Sequence, residues 1–281
     1  MPVRGYYTYA NDAVEGIRVG RLNAGINTTF VVYRLGSTLI DCGPSNQWGY
    51  VRPFISEKPV RQLLITHHHE DHSGNARRIS ALTGVTPLAP EQSKGKMATG
   101  YRIPPVQKVV WGSMEPVTTE PYPEFIELED GSPVIPVHTP GHAKDLHVFY
   151  LPRQKWLFSG DLYVSKTIRI LRGDENLELL MDSIRRVLEL DFDVIFCPHR
   201  GIVEYARESM EEKLKNLENL CYEAQSLAEK GFSLNQVTRE VLGREEMISW
   251  ISAFNLSKRN LIRAALSVNM DVPDKSLSGS G

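Results

Sequence analysis

The first two thirds of the chain carry short apolar runs of four to six residues, each closed by Gly, Pro or polar turn signals. That is the pattern of strands buried on one or both faces. Residues 28–33 and 37–40 flank Leu35-Gly36 and predict a hairpin. Runs at 61–66, 134–138, 146–151, 156–159 and 193–197 predict five further strands. A different period enters at 175–190, where Leu177, Leu180, Met181, Ile184, Val187 and Leu188 fall on one helical stripe behind a candidate Asp174 cap. Residues 84–123 are rich in Pro and Gly and predict a mostly irregular stretch, a candidate wall for a binding site. From about 204 the steps of four and three through Met210, Leu214, Leu217, Cys221, Ala224 and Ala228 predict a long helix ending at Gly231. Ser233-Leu-Asn-Gln236 has the form of a capping box, and another helix is expected after Ser257. The organisation expected is a catalytic unit over 1–203, a helical appendage over 204–270 and a disordered tail over 271–281.

Composition narrows the class. With 281 residues and 41% hydrophobic side chains, the chain is long enough for one substantial core. No apolar run approaches the roughly 18 to 20 residues that span a bilayer. The opening Met1-Pro2-Val3-Arg4-Gly5 has no apolar stretch of secretory type. Cys42, Cys197 and Cys221 are too few and scattered for a disulfide framework, which favours a reducing cytoplasm; Cys42 and Cys197 are read as core thiols. Lys and Arg number 32 against 34 Asp and Glu, and neither residues 1–203 nor the part from 204 onward is basic, which argues against a dedicated nucleic-acid binder. A small-molecule substrate is the expected partner; a homodimer is compatible with the sequence but not indicated by it.

Histidine changes the picture. Four of the eight histidines lie in Thr66-His67-His68-His69-Glu70-Asp71-His72-Ser73-Gly74, at the end of a predicted strand. Imidazole nitrogens with carboxylate oxygens are the donor set of a divalent transition metal. In an extended segment His67 and His69 point the same way and can grip one ion, while Asp71 and His72 follow where the chain turns. His68, the odd member, is expected to face away. Further donors stand at turns after apolar runs: His142 in His138-Thr-Pro-Gly-His142, Asp161 in Ser159-Gly-Asp161, and His199 in Pro198-His-Arg-Gly201.

These motifs, in this order, together with Asn27 and Leu39-Ile-Asp-Cys-Gly43, resemble the metallo-β-lactamase-fold hydrolases over roughly residues 15–203. The resemblance implies an α+β fold, a four-layer αββα sandwich with the site at one edge between the sheets. It implies that His67, His69 and His142 bind a first metal, that Asp71, His72 and His199 bind a second, and that Asp161 bridges them. The cofactor implied is Zn²⁺, two per chain, with iron or manganese admitted by the same ligands. Asp71 is expected as a ligand first and a proton acceptor second. The activity implied is hydrolysis, a metal-activated hydroxide attacking an ester, lactone or thioester carbonyl, as in glyoxalase-II-like enzymes. Two alternatives share the ligands: a phosphodiesterase or ribonuclease, as the helical C-terminus resembling β-lactamase-like protein 2-type hydrolases would suggest, and an iron-dependent oxygenase.

Two departures stand out. Relatives often carry histidine four residues after the His142 ligand, where this chain has Leu146 and then His147, and the last ligand is followed by Arg200. Arg200, with Lys166, Arg169 and Arg172 at every third position after Asp161, is a candidate anion contact, against the plainer reading of solvated surface charge. Tyr163 is a candidate to polarise a substrate carbonyl, against the plainer reading of a core tyrosine.

Overall fold

Five strands, β1 (Gly5–Tyr9), β2 (Val14–Val19), β3 (Phe30–Leu35), β4 (Thr38–Ile40) and β5 (Gln62–Leu64), pair in that order into the first sheet of the computed structural model, which describes residues 5–10, 13–22 and 25–270. β1 to β4 are antiparallel neighbours, and the β3–β4 hairpin turns at Gly36, whose φ of 54° is left-handed. β5 lies parallel to β4, so a crossover is needed, and α1 (Trp48–Ser56) supplies it. The segment between the sheets holds α2 (Glu70–Ser73), α3 (Ala76–Thr83), α4 (Lys94–Thr99) and α5 (Pro105–Trp111). The expected irregular stretch 84–123 therefore contains two short helices, with α5 opening on Pro105, whose missing N–H costs nothing in a first turn.

The second sheet is built from β6 (Ile126–Glu127), β7 (Pro133–His138), β8 (His147–Leu151), β9 (Trp156–Phe158) and, beyond the short β10 (Leu171–Arg172), from β11 (Val194–Cys197) and β12 (Gly201–Val203). Its order is β12-β11-β9-β8-β7-β6, with β11 parallel to β9 across α6 (Leu177–Leu188). Asn176, not Asp174, caps α6: its side chain accepts the Leu179 N–H at 2.9 Å, while Asp174 is taken up by the Arg172 guanidinium.

Side-chain alternation decides the layers. In β3, Phe30 and Val32 join a cluster with Val51 and Phe54 of α1 and Ile79 of α3, whereas Val31, Tyr33 and Leu35 face the other way. There they meet Phe149 and Leu151 of β8 and Phe196 of β11 between the two sheets. The intervening Val148, Tyr150, Ile195 and Cys197 point outward, against Ile184 and Val187 of α6. Two sheets with both faces buried and helices on each outside make the αββα sandwich that the resemblance implied.

The C-terminal segment is α7 (Ala206–Glu229), α8 (Leu234–Leu242), α9 (Met247–Ile251), β13 (Leu256–Ser257) and α10 (Lys258–Ser267). The expected capping box closes at Ser233 and Gln236, and Ser257 caps α10. Met210, Leu217, Cys221, Val237, Leu261 and Ile262 share one core with α6 and the outer face of the second sheet. β13 pairs with β10, which ties this segment to the chain just after Asp161. The tail, residues 271–281, lies outside the described residues. Among those described, no helix is long and apolar enough to cross a membrane.

Candidate metal centre

Strand ends converge on one point between the sheets. β5 delivers His67 and His69, the turn after β7 delivers His142, the turn after β9 delivers Asp161, and the turn after β11 delivers His199. Main-chain bonds close the sandwich there: the Val31 N–H donates to the Pro198 carbonyl at 2.6 Å, and the Tyr33 hydroxyl to the Cys197 carbonyl at 3.0 Å. Arg18 of β2 grips the same turn, donating to the His199 carbonyl at 2.7 Å and the Arg200 carbonyl at 2.8 Å. Gly141 is required beside His142. Its φ is 144°, and a Cβ there would lie 2.5 Å from the Leu180 backbone, so α6 packs directly on the turn.

The donors form two groups sharing one carboxylate. His69 Nδ1 lies 2.8 Å from His67 Nε2 and 3.0 Å from His142 Nε2. His199 Nε2 lies 3.4 Å from Asp71 Oδ2, and His72 Nε2 lies 3.9 Å from the same oxygen. Asp161 spans both: Oδ2 is 3.1 Å from His142 Nε2, while Oδ1 is 3.2 Å from His72 Nε2 and 3.3 Å from His199 Nε2. All seven residues proposed as ligands are brought together.

Surrounding groups fix which nitrogen faces inward. His72 Nδ1 lies 2.8 Å from Asp41 Oδ2, His199 Nδ1 lies 3.0 Å from the Thr29 carbonyl, and His142 Nδ1 lies 3.5 Å from Glu175 Oε1. Each partner is an acceptor, so each Nδ1 donates outward and each Nε2 is the nitrogen left facing the site. Phe30 meets the His72 ring edge-on at 4.8 Å and the His199 ring at 5.6 Å, which leaves the imidazoles little room to turn.

Charge follows from the same geometry. Burial holds His67 and His69 well below the usual imidazole range, so both stay neutral. Burial opposes charge on His72 and His199 as well, yet nearby carboxylates outweigh it and raise both: Asp41 first for His72, Asp161 first for His199. Burial would raise Asp161, but His199, His72 and His142 hold it well below the carboxylate range. His72 Nε2 and Asp161 Oδ1 are nevertheless buried without a well-formed hydrogen bond. Convergent imidazole nitrogens, anionic oxygens and these orphaned atoms fit a divalent cation in each group.

The cavity in front has a volume of about 700 Å³. Of the residues expected to meet substrate, Arg169 and Arg172 line it. Arg172 donates to His69 Nε2 at 3.1 Å and pairs with Asp174 at 2.9 Å. Lys166 instead pairs with Glu212 at 2.6 Å, and Arg200 donates to the Val164 carbonyl at 3.0 Å. Tyr163 is 1% exposed, part of the core under α6 and α7. His68 turns away as expected: its backbone N–H and Nδ1 both meet Asp145, at 2.9 and 2.8 Å. The departure at Leu146 is a core residue, and His147 lies against Tyr122.

Four participants escaped the reading of the sequence. Asp41 was visible within Leu39-Ile-Asp-Cys-Gly43 but had no assigned role. Glu175 and Arg18 are brought in by tertiary folding alone. Glu70 lines the cavity, accepts the Tyr101 hydroxyl at 3.1 Å, and is pushed up to about 7 by burial and then by Asp71.

Known proteins bear on this arrangement. The chain is 24% identical over 195 residues to an atrochrysone carboxyl ACP thioesterase of Aspergillus fumigatus, covering 68% of this chain and 55% of that protein. It is 28% identical over 151 residues to a hydroxyacylglutathione hydrolase of Bdellovibrio bacteriovorus, covering 53% of this chain and 51% of that one. The chain thus spans about half the length of these curated relatives. A β-lactamase domain protein from Burkholderia ambifaria superposes with a TM-score of 0.70 at 18% identity, over 92% of this chain and 87% of that one, a likeness of fold. The model of the metallo-β-lactamase superfamily matches residues 23–199, from the opening hairpin to the last histidine of the cluster, and the chain belongs to that superfamily.

Proposed function

We propose that this member of a hydrolase superfamily cleaves carbonyl esters, thioesters foremost, at a centre holding two divalent cations. His67, His69 and His142 would hold one cation, Asp71, His72 and His199 the other, and Asp161 both. Zinc is the first candidate, and iron and manganese suit the same nitrogen and oxygen donors. The observation that carries the reading is Asp161, whose two oxygens are divided between the two donor groups at 3.1 to 3.3 Å.

Bound there, such cations supply Lewis acidity and lower the pKa of water from about 15.7 towards 7. The chain's own groups do the rest. Asp41, the Thr29 carbonyl and Glu175 hold the imidazoles in register, so little reorganisation is left for the reaction. Asp71 acts as a ligand first and a proton acceptor second. Arg169 and Arg172 are the guanidinium groups positioned to meet an anionic part of the substrate.

The names of the relatives support thioester chemistry, at low identity. The cavity lining weighs against a phosphodiester track: Arg169, Arg172 and Lys213 face Glu70, Asp71, Asp161, Glu175 and Glu246, and a polyanion needs a run of free cations.

The deciding experiment is metal quantification on the purified protein, followed by a panel of thioesters, lactones, β-lactams and bis-p-nitrophenyl phosphate. Two zinc per chain, with thioester turnover lost to chelator and restored by metal, is the expected result. Full activity without metal, or cleavage of the phosphodiester alone, would overturn the reading.

A further inference from the structure

Part of the cavity wall is apolar and is drawn from three separate parts of the chain. Val110 and Trp111 come from α5, Ile168 and Ile170 from the loop before β10, and Ile248 and Leu256 from α9 and β13. His69, Asp71, His142, Asp161 and His199 of the donor cluster line the same space. Ile168, Ile170, Ile248 and Leu256 are only half-buried, so this wall is open to a ligand and not sealed into the core. Of the three cavity cations, Arg172 is engaged by Asp174 and Lys213 by the Leu162 carbonyl. Arg169 is exposed, with no hydrogen bond or ion pair among the described residues.

A polar substrate would leave such a wall wetted to no benefit, whereas each buried methylene gains about a fourfold preference. A volume of about 700 Å³ is the size of a small-molecule site, too large for a two-carbon acyl group alone. From these observations we infer that the cavity binds an ester or thioester with an apolar acyl chain several carbons long. The C-terminal segment, through Ile248 and Leu256, forms part of the acyl site and sets the chain length it takes. This rests on the hydrolase reading for turnover but not for binding.

The test separates the two. The rate series uses acetyl, butanoyl, hexanoyl and octanoyl thioesters of one thiol, with the intact metal-loaded protein. The binding series titrates octanoate into the metal-free protein by calorimetry. Expected is a rise in kcat/KM of about three- to fourfold per methylene until the wall is covered. Ile248→Asp should lower the octanoyl-to-acetyl ratio of kcat/KM about tenfold or more and weaken octanoate binding; Ile248→Trp, which keeps the wall apolar but fills it, should move the optimum to a shorter chain. Octanoate binding that Ile248→Asp abolishes, with no ester turned over, would sink the hydrolase reading and leave the acyl site standing. A flat or falling profile among hydrolysed thioesters, or a ratio unmoved by Ile248→Asp, would overturn the acyl site.

Discussion

Asp41 Oδ2 accepts the Nδ1 proton of His72 across 2.8 Å, from a backbone held in the left-handed region at φ 56°. The same carboxylate takes the Thr66 N–H at 2.8 Å and the Thr66 hydroxyl at 2.9 Å, so one strained residue after β4 orients the start of the histidine segment. Aspartate is among the few side chains that tolerate this conformation. Asp41→Asn keeps the backbone and the shape but loses the charge and one acceptor. Cation affinity of the group containing His72 should fall about 10- to 100-fold, with about 1 to 3 kcal/mol lost in stability. A chelator competition titration measures the first and urea unfolding the second; an unchanged chelator midpoint would show that Asp41 does not orient a ligand.

Asp161 is the residue whose loss should be felt by both donor groups at once. In Asp161→Ala the three imidazoles of His72, His142 and His199 lose their shared anion, and with it the oxygen donor common to both groups. Metal content by mass spectrometry should drop to one per chain or fewer, and turnover by at least about a hundredfold. Asp161→Asn, which keeps the outline, should behave nearly as badly, because the charge holds the site together. Two tightly bound metals in the alanine variant would remove Asp161 from the bridge.

How much of this was legible before folding depended on the range of the interaction. The cluster at His67, His69, Asp71 and His72 is local, and its spacing within a strand and turn announces a shared direction. His142, Asp161 and His199 could be read because each follows an apolar run and a Gly or Pro. Glu175 and Arg18 could not, because nothing near them in the chain marks them; they reach the site only when α6 packs on Gly141 and β2 approaches the His199 turn. The cap of α6 was misplaced by two residues for a similar reason. Asp174 and Asn176 are both good caps in isolation, and Arg172 takes Asp174 away. Lys166, Arg169 and Arg172 share a spacing, yet that segment is largely irregular, and three-residue steps there do not put side chains on one face.

Gly141→Ala tests the turn that presents His142. The added methyl group would meet the Leu180 N and Cα at 2.5 Å, and the residue would be forced to keep a φ of 144°. Neither the backbone of α6 nor the turn can yield cheaply, since the Asn176 N–H is bonded to the Gly141 carbonyl at 2.8 Å. A loss of about 3 kcal/mol or more in unfolding free energy is expected. The displaced His142 should also weaken metal retention on dialysis. Stability within about 0.5 kcal/mol of the parent would contradict the close packing of α6 on this turn.

Lys213 of α7 is 2% exposed and donates to the Leu162 carbonyl at 2.6 Å; among the described residues it forms no ion pair, and the more distant Asp161 and Glu175 raise its pKa by less than burial lowers it. Burial pushes its pKa down to about 8, from 10.5 in an unfolded chain. A base with a lowered pKa opposes folding while it stays charged: between about pH 8 and 10.5 the unfolded chain keeps a proton that the folded chain has released. Stability from this group therefore rises with pH across that window, and below pH 8 the full penalty applies. Lys213→Met removes the titration and keeps most of the volume. Going from pH 7 to pH 10, the parent should gain about 2 to 3 kcal/mol relative to the variant, because every other titrating group is common to both. Urea unfolding of the two proteins at both pH values reads that difference directly. Parallel pH profiles would mean that the ammonium is solvated and the pKa ordinary.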